Sequence, residues 1–247
     1  MKILAVDTST AMASAALLID GKPAGVINIE DGKTHSEKLV PMIEEILSNA
    51  GLLPGDIDYF AASIGPGSFT GLRIGVTTVK VMAFASCTGD TVKQEKNCIA
   101  VPTLDALSYN CKDFNGIICP MIDARNDQVF TALYTGGDGG TKRISEYMAK
   151  PIGELTLDIK QACETENTDQ IILVGDAATK HEAFFKANIE GLNCAAATED
   201  KLLANAVSVG EIAWQYAKEG KSISHFDLVP NYFRKSSAEQ AKEGRQI

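Results

Sequence analysis

Asp7-Thr8-Ser9-Thr10 sets one carboxylate and three hydroxyls side by side at the end of the apolar run Ile3 to Val6. Such groups can hold a hard cation or bond phosphate oxygens. They can equally satisfy the backbone amides of a tight turn. A second candidate is Gly65-Pro-Gly-Ser-Phe-Thr-Gly-Leu-Arg-Ile-Gly75, which follows the apolar run Ile57 to Ile64. A strand, a glycine turn and a helix N-terminus bring free amides and a positive dipole end to one spot, the ordinary anion-binding arrangement. The loop lacks the Gly-Lys-Ser/Thr ending of a P-loop, and Thr70 stands where a dinucleotide fingerprint needs its third glycine. Gly67, Gly71 and Gly75 instead recur every fourth residue. Such spacing makes one helical stripe on which another backbone can lie close. Packing is therefore the leading expectation for this loop.

Other chemistry is sparse. His35, His181 and His225 are far apart with no paired metal spacing, and no G-x-S-x-G elbow is present. Thr8, Ser9 and the six cysteines have no evident base beside them. No catalytic residue, metal ligand or cofactor is expected.

The elements that must position these groups repeat. Three strand-like runs (2–8, 14–20 and 24–30) precede a helix opened by the capping box Thr34-His35-Ser36-Glu37 and ending near Asn49, then a strand over 57–64 and a helix to about Ser86. The order recurs in strands over 116–123, 129–134 and 142–149, the middle pair joined by the loop TGGDGG. A helix from about Gly153 to Cys163, a strand over 171–175 and a helix over 178–188 follow. Both halves place an Asp at the end of the first strand (Asp7, Asp123) and a Gly at the end of the later one (Gly65, Gly175). The fold expected is α/β, a duplicated β-β-β-α-β-α unit of the ribonuclease H-like type found in actin, hexokinase and Hsp70. Residues 1–102 form the first unit, 103–225 the second and 226–247 a tail, and the helix over 202–219 could cross back to the first unit. The second-half turn, Asp123-Ala124-Arg125-Asn126, has no glycine to admit a phosphate, so the nucleotide site reads as degraded.

Bulk properties narrow the partners. The 247 residues, 45% of them hydrophobic, suffice for large cores. No apolar run reaches the ~18 residues of a membrane span, no export signal is visible, and the cysteines form no C-x-x-C pair. A reducing cytoplasm fits. The net charge of −9 penalises direct contact with nucleic acid, and the one mildly basic stretch is Tyr232 to Arg245. The helix after the glycine loop carries Leu72, Val76, Val79 and Ala83 on one face and Ile74 and Val81 on another. The first helix, with Leu39, Val40, Met42, Ile43, Ile46 and Leu47, also has more apolar positions than one buried stripe requires. The surplus is covered either within the fold or by a partner.

The segments MKILAVDTSTA, HSEKLVPMIEEIL, SIGPGSFTGLRIGV, AVPTLDAL, IDARNDQVF and PNYFRK together resemble the TsaB family, also called YeaZ, over nearly the whole chain. The resemblance implies a non-catalytic accessory subunit in making threonylcarbamoyladenosine at position 37 of tRNAs reading codons that begin with A. It would scaffold the catalytic paralogue TsaD, with the ATPase TsaE joining, and touch tRNA only indirectly. It also implies a partner surface on the two helices, comprising Leu39, Met42, Ile43, Ile46, Phe69, Leu72, Arg73 and Val76, for TsaD or for a second copy. Where TsaD carries an H-x-x-x-H metal pair, this sequence aligns Thr103 and Leu107, which cannot replace imidazole. The alternatives are an actin-like ATPase with a vestigial site on Asp7, Ser9 and Thr10, or a glycoprotease-like metallopeptidase.

Overall fold

The computed structural model describes residues 1–30, 35–86, 97–137 and 139–233. Two mixed sheets carry the chain. In the first, β1 (Lys2–Asp7) pairs antiparallel with β2 (Ala13–Ile19), which pairs with β3 (Lys22–Ile29). On its other side β1 runs parallel to β4 (Tyr59–Ser63), and β4 to β5 (Asn97–Val101). The resulting order is β3-β2-β1-β4-β5. The second sheet repeats it, with β6 (Gly116–Asp123) central, parallel to β11 (Gln170–Val174), and β11 parallel to β12 (Asn193–Ala196).

Alternation along β1 explains why that strand reads as one apolar run. Successive side chains point to opposite faces of a sheet. Leu4 and Val6 enter one core with α1 (His35–Asn49) and α2 (Phe69–Ala85). Ile3 and Ala5 enter another with α7 (Ala206–Lys218). A sheet covered on both faces has no polar side to show. The second sheet is built likewise. Ile117, Cys119 and Met121 face α4 (Ile152–Thr165) and α5 (Ala178–Asn188), while Ile118 and Ile122 face α3 (Thr103–Tyr109). With α3 and α7 in contact, five layers stack: α1 and α2, first sheet, α7 and α3, second sheet, α4 and α5. The duplicated unit and the ribonuclease H-like type of fold expected from the sequence are what the strand order shows.

Asn205 fixes where α7 begins. Its side chain accepts from the amides of Val207 and Ser208 at 3.0 and 3.1 Å, a good N-cap. Its own Nδ2 donates to Asn110 Oδ1 at the end of α3. The Ala206 amide donates to Ser14 Oγ on β2 at 2.8 Å. The last long helix thus returns to the first sheet. Its Gly210 lies so close that an added Cβ would stand 2.0 Å from Leu18 Cδ1.

Each unit gains a fifth strand, β5 or β12, that the sequence reading lacked, and α3 and the short α6 (Glu199–Leu202) were not expected. The second and third strands of the second unit are each broken in two. β7 (Gln128–Thr131) and β8 (Tyr134–Gly137) flank Ala132-Leu133, and β9 (Gly140–Arg143) and β10 (Met148–Pro151) flank residues 144–147. The TGGDGG stretch does turn a hairpin, with its arms β8 and β9 reaching in as far as the Gly137–Gly140 pair. Thr34 of the capping box, and the tail beyond Phe233, lie outside the described residues.

Candidate functional site

Asp7 ends β1, and the parallel register that sets Val6 opposite Ala62 brings Ser63 at the end of β4 beside it. Asp7 Oδ1 accepts from the Ser9 amide at 3.0 Å and the Ser9 hydroxyl at 2.9 Å, a turn closed on its own carboxylate. His35, the first residue of α1, donates from Nε2 to the Thr10 carbonyl at 3.0 Å. Burial pushes the Asp7 carboxyl above its ordinary range, with Ser63, the Ser9 amide and hydroxyl, and His35 pulling it partly back. Ser63 is near enough to favour the charged form, yet neither Ser63 Oγ nor Asp7 Oδ2 closes a hydrogen bond of normal geometry. Thr10 Oγ1 is a third buried oxygen without a partner.

The glycine loop lies directly on this turn. A Cβ on Gly67 would meet Ser9 O at 2.5 Å, on Gly71 Thr8 O at 1.9 Å, and on Gly75 Thr8 Oγ1 at 2.4 Å. The backbone expected to approach the glycine stripe is the chain's own residues 8 and 9. Thr8 Oγ1 donates to Gly71 O at 2.7 Å, and the Ser68 amide donates to Ser9 O at 2.7 Å. Ser68 caps α2 by accepting from the Gly71 amide. Gly65, with φ of +115°, is covered by the Asn231 carbonyl, 2.6 Å from where its Cβ would stand. Of the loop amides, those of Gly65, Ser68 and Gly71 are taken up by acceptors of the chain itself.

Thr103 and Leu107 take part in the same packing. Thr103 Oγ1 accepts from the Gly65 amide, and Leu107 is fully buried among apolar neighbours. Neither fits a metal, and among the described residues no cluster of three or more His, Cys, Asp or Glu could hold one. In the second half Arg125, Asn126 and Asp127 all adopt left-handed backbone conformations, and the Asp123 amide donates to Asp176 Oδ1. Within the turn itself the Arg125 amide donates to Asp123 Oδ1 at 2.7 Å.

The residues expected at a partner surface divide sharply. Leu39, Met42, Ile43, Ile46, Leu72 and Val76 are at most 3% exposed, so their side chains belong to the core. The reason is geometric: α1 and α2 lie flat on the first sheet, and one face of each is consumed by Leu4, Val6, Ala15 and Leu17. Phe69 is half-buried and Arg73 exposed. An apolar groove of about 630 Å³ remains open between α1, α2 and residues 52–54, with Ile43 and Leu47 in its lining. Its rim is Val40 (46% exposed), Leu53 (72%) and Val81 (58%). The signal for it was the surplus: Val40 and Val81 are the apolar positions that fell outside the main stripes.

Across residues 14–242 the sequence matches the family described as TsaD, tRNA N6-adenosine threonylcarbamoyltransferase. The chain belongs to the TsaD family. Within it, the relatives that match end to end carry another name. The "tRNA threonylcarbamoyladenosine biosynthesis protein TsaB" of Bacillus subtilis is 27% identical over 97% of this chain and 96% of its own length. The TsaB of Escherichia coli is 29% identical over 100% of both. The solved structure of YeaZ from Pseudomonas aeruginosa superposes with a TM-score of 0.74 at 24% identity, over 94% of this chain and 99% of that one, and shares the fold. Over its whole length, then, the chain is similar to proteins that carry the TsaB name.

Proposed function

We propose that this chain is a non-catalytic accessory subunit in the formation of threonylcarbamoyladenosine at position 37 of tRNAs reading codons that begin with A. It acts in the cytoplasm and docks on a TsaD-type catalytic subunit through the groove between α1 and α2. A TsaE-type ATPase joins the same complex, tRNA is met only indirectly, and a second copy of the chain competes for the groove. The observation that carries the reading is the closure of the Gly67-Gly71-Gly75 stripe onto Thr8 and Ser9, beside an open apolar groove with Val40, Leu53 and Val81 at its rim. An apolar groove of this kind favours a protein surface.

The test is association with the TsaD-type subunit by size-exclusion chromatography, together with transfer of threonylcarbamoyl to tRNA. Val81→Glu places a carboxylate against the partner's apolar surface and is expected to abolish co-elution while circular dichroism stays unchanged. Unaltered co-elution of Val81→Glu and Leu53→Glu, or transfer by this chain alone, would overturn the reading.

A second reading rests on the unpartnered buried oxygens of Asp7, Ser63 and Thr10, which suit a vestigial nucleotide or cation site. Calorimetric binding of ATP with magnesium that disappears in Asp7→Ala would support it.

A further inference from the structure

The segment after α7 runs back along α2 as a strap. Ile223 bridges Cys98 on β5, the Phe226 carbonyl accepts from Lys80 Nζ at 3.2 Å, and Leu228 is fully buried. The Asn231 amide then donates to Ile64 O at 2.7 Å. At the end of this path Tyr232 meets the first turns of α2. Its hydroxyl accepts from Arg73 Nε at 3.0 Å, and its ring lies 4.8 Å from that of Phe69. The Arg73 guanidinium sits flat against Phe69, 3.9 Å from the ring centroid.

This arrangement orients a cation without neutralising it. Arg73 is exposed, and among the described residues it makes no ion pair. The first turn of α2 contains no acidic residue. With Nε engaged by Tyr232, the two terminal nitrogens remain as a forked pair of donors, the shape that matches a carboxylate with two parallel bonds. Stacking on Phe69 and the bond to Tyr232 have already removed much of the side chain's freedom, which lowers the entropy lost on binding.

We propose that Arg73, framed by Phe69 and Tyr232, reads a carboxylate side chain of the docked protein partner. The inference deepens the docking reading and rests on it. Three features favour a protein carboxylate over a nucleic-acid phosphate. The chain carries a net charge of −9. Among the described residues the next cation along α2, Lys80, is already bonded to Phe226 O, whereas a phosphate track needs several free cations. Arg73 itself lies between two aromatic rings, its guanidinium 3.9 Å from the Phe69 centroid and 5.9 Å from that of Tyr232. An arginine among aromatic and aliphatic groups is the usual composition of a protein–protein hot spot.

The experiment measures the affinity of the full-length chain for the TsaD-type subunit by titration calorimetry at low and high NaCl. Arg73→Gln, Arg73→Lys and Tyr232→Phe are compared with wild type, and Val81→Glu reports on docking as such. Arg73→Gln is expected to weaken binding by about tenfold or more and to flatten its salt dependence. Arg73→Lys is expected to fall nearly as far, because an ammonium cannot form the fork. Tyr232→Phe keeps the stack, frees Nε and is expected to lose less. A partner variant with one Asp or Glu changed to Arg should restore binding to Arg73→Glu. If Val81→Glu abolishes binding while Arg73→Gln stays within twofold, the carboxylate contact is wrong and the docking reading stands. If neither substitution matters, both fall. If Arg73→Gln lowers only the affinity of the chain for tRNA, the anion is a phosphate and the proposal is overturned.

Discussion

Thr103 and Gly65 bond to each other in both directions: the Thr103 hydroxyl accepts from the Gly65 amide at 3.1 Å, and the Thr103 amide donates to the Gly65 carbonyl at 3.0 Å. The start of α3 is thereby fastened to the loop that leads into α2. Thr103→Val keeps the shape and removes the acceptor, leaving a buried amide unpaired. It is expected to cost about 1–3 kcal/mol in urea denaturation.

Asp7 makes stability depend on pH in a definite sense. Its folded pKa is raised from 3.8, chiefly by burial, so the protonated form is the one the native state prefers. That stabilisation is complete below pH 3.8 and is lost as pH rises through the folded value. Asp7→Asn keeps an oxygen for Ser9, offers an amide toward Ser63 and cannot ionise. It is expected to melt higher than wild type at neutral pH and to flatten the pH profile, each unit of raised pKa being about 1.4 kcal/mol. A scan of melting temperature against pH decides it, and a lower melting point for Asp7→Asn at pH 7 would contradict this account.

Gly71 and Gly153 should respond oppositely to a methyl group. A Cβ at Gly71 would stand 1.9 Å from the Thr8 carbonyl, which is backbone and cannot step aside, whereas nothing lies within 4 Å at Gly153 in α4. Gly71→Ala is expected to cost about 3 kcal/mol or more and to separate α2 from the β1 turn. Gly153→Ala is expected to gain about 0.5–1 kcal/mol from higher helix propensity. Thermal melts of the two variants side by side make the comparison.

Asp105 on α3 gathers the tyrosines of the second unit. Its Oδ1 accepts from Tyr134 at 2.6 Å and from Tyr147 at 2.8 Å. Burial, with Asp105 adding to it, pushes both phenols well up, and Tyr216 is pushed up to about 12. Burial also raises Tyr109. A spectrophotometric titration should therefore show four of the six tyrosines ionising late. A raised acid stabilises the fold below the ordinary phenol value of 10, and that contribution disappears as pH climbs beyond it. Tyr147→Phe is expected to cost about 1–2 kcal/mol.

The strong signals in the sequence were the ones that depend on local period. Gly116–Asp123 and Ala178–Asn188 fall on the residues that pattern and punctuation assign, because continuous apolar runs and a terminal Gly specify them locally. The strands β5 and β12 escaped notice for the opposite reason. Asn193–Ala196 is four residues long at a sheet edge, with two small alanines and an exposed Asn. Its strand character comes from pairing with β11 rather than from its own composition. At the candidate site, the closeness required at Gly67, Gly71 and Gly75 could be read from their spacing. What lay against them could not, since Thr8 and Ser9 are about sixty residues away in the chain. The burial of Leu39, Met42, Ile46 and Leu72 was hidden for a related reason: a helix's apolar residues do not announce which of them a distant strand such as β2 will cover.

The return of α7 to the first sheet sets an order on synthesis. Ile3, Ala5, Ala16 and Leu18 form a sheet face whose cover includes Val209, Ile212 and Ala213. On the ribosome, that greasy face stands naked until the last fifth of the chain has emerged. An early half-product is therefore a natural client for a chaperone, and severing the gene between its two repeats would strand a sheet without its lid.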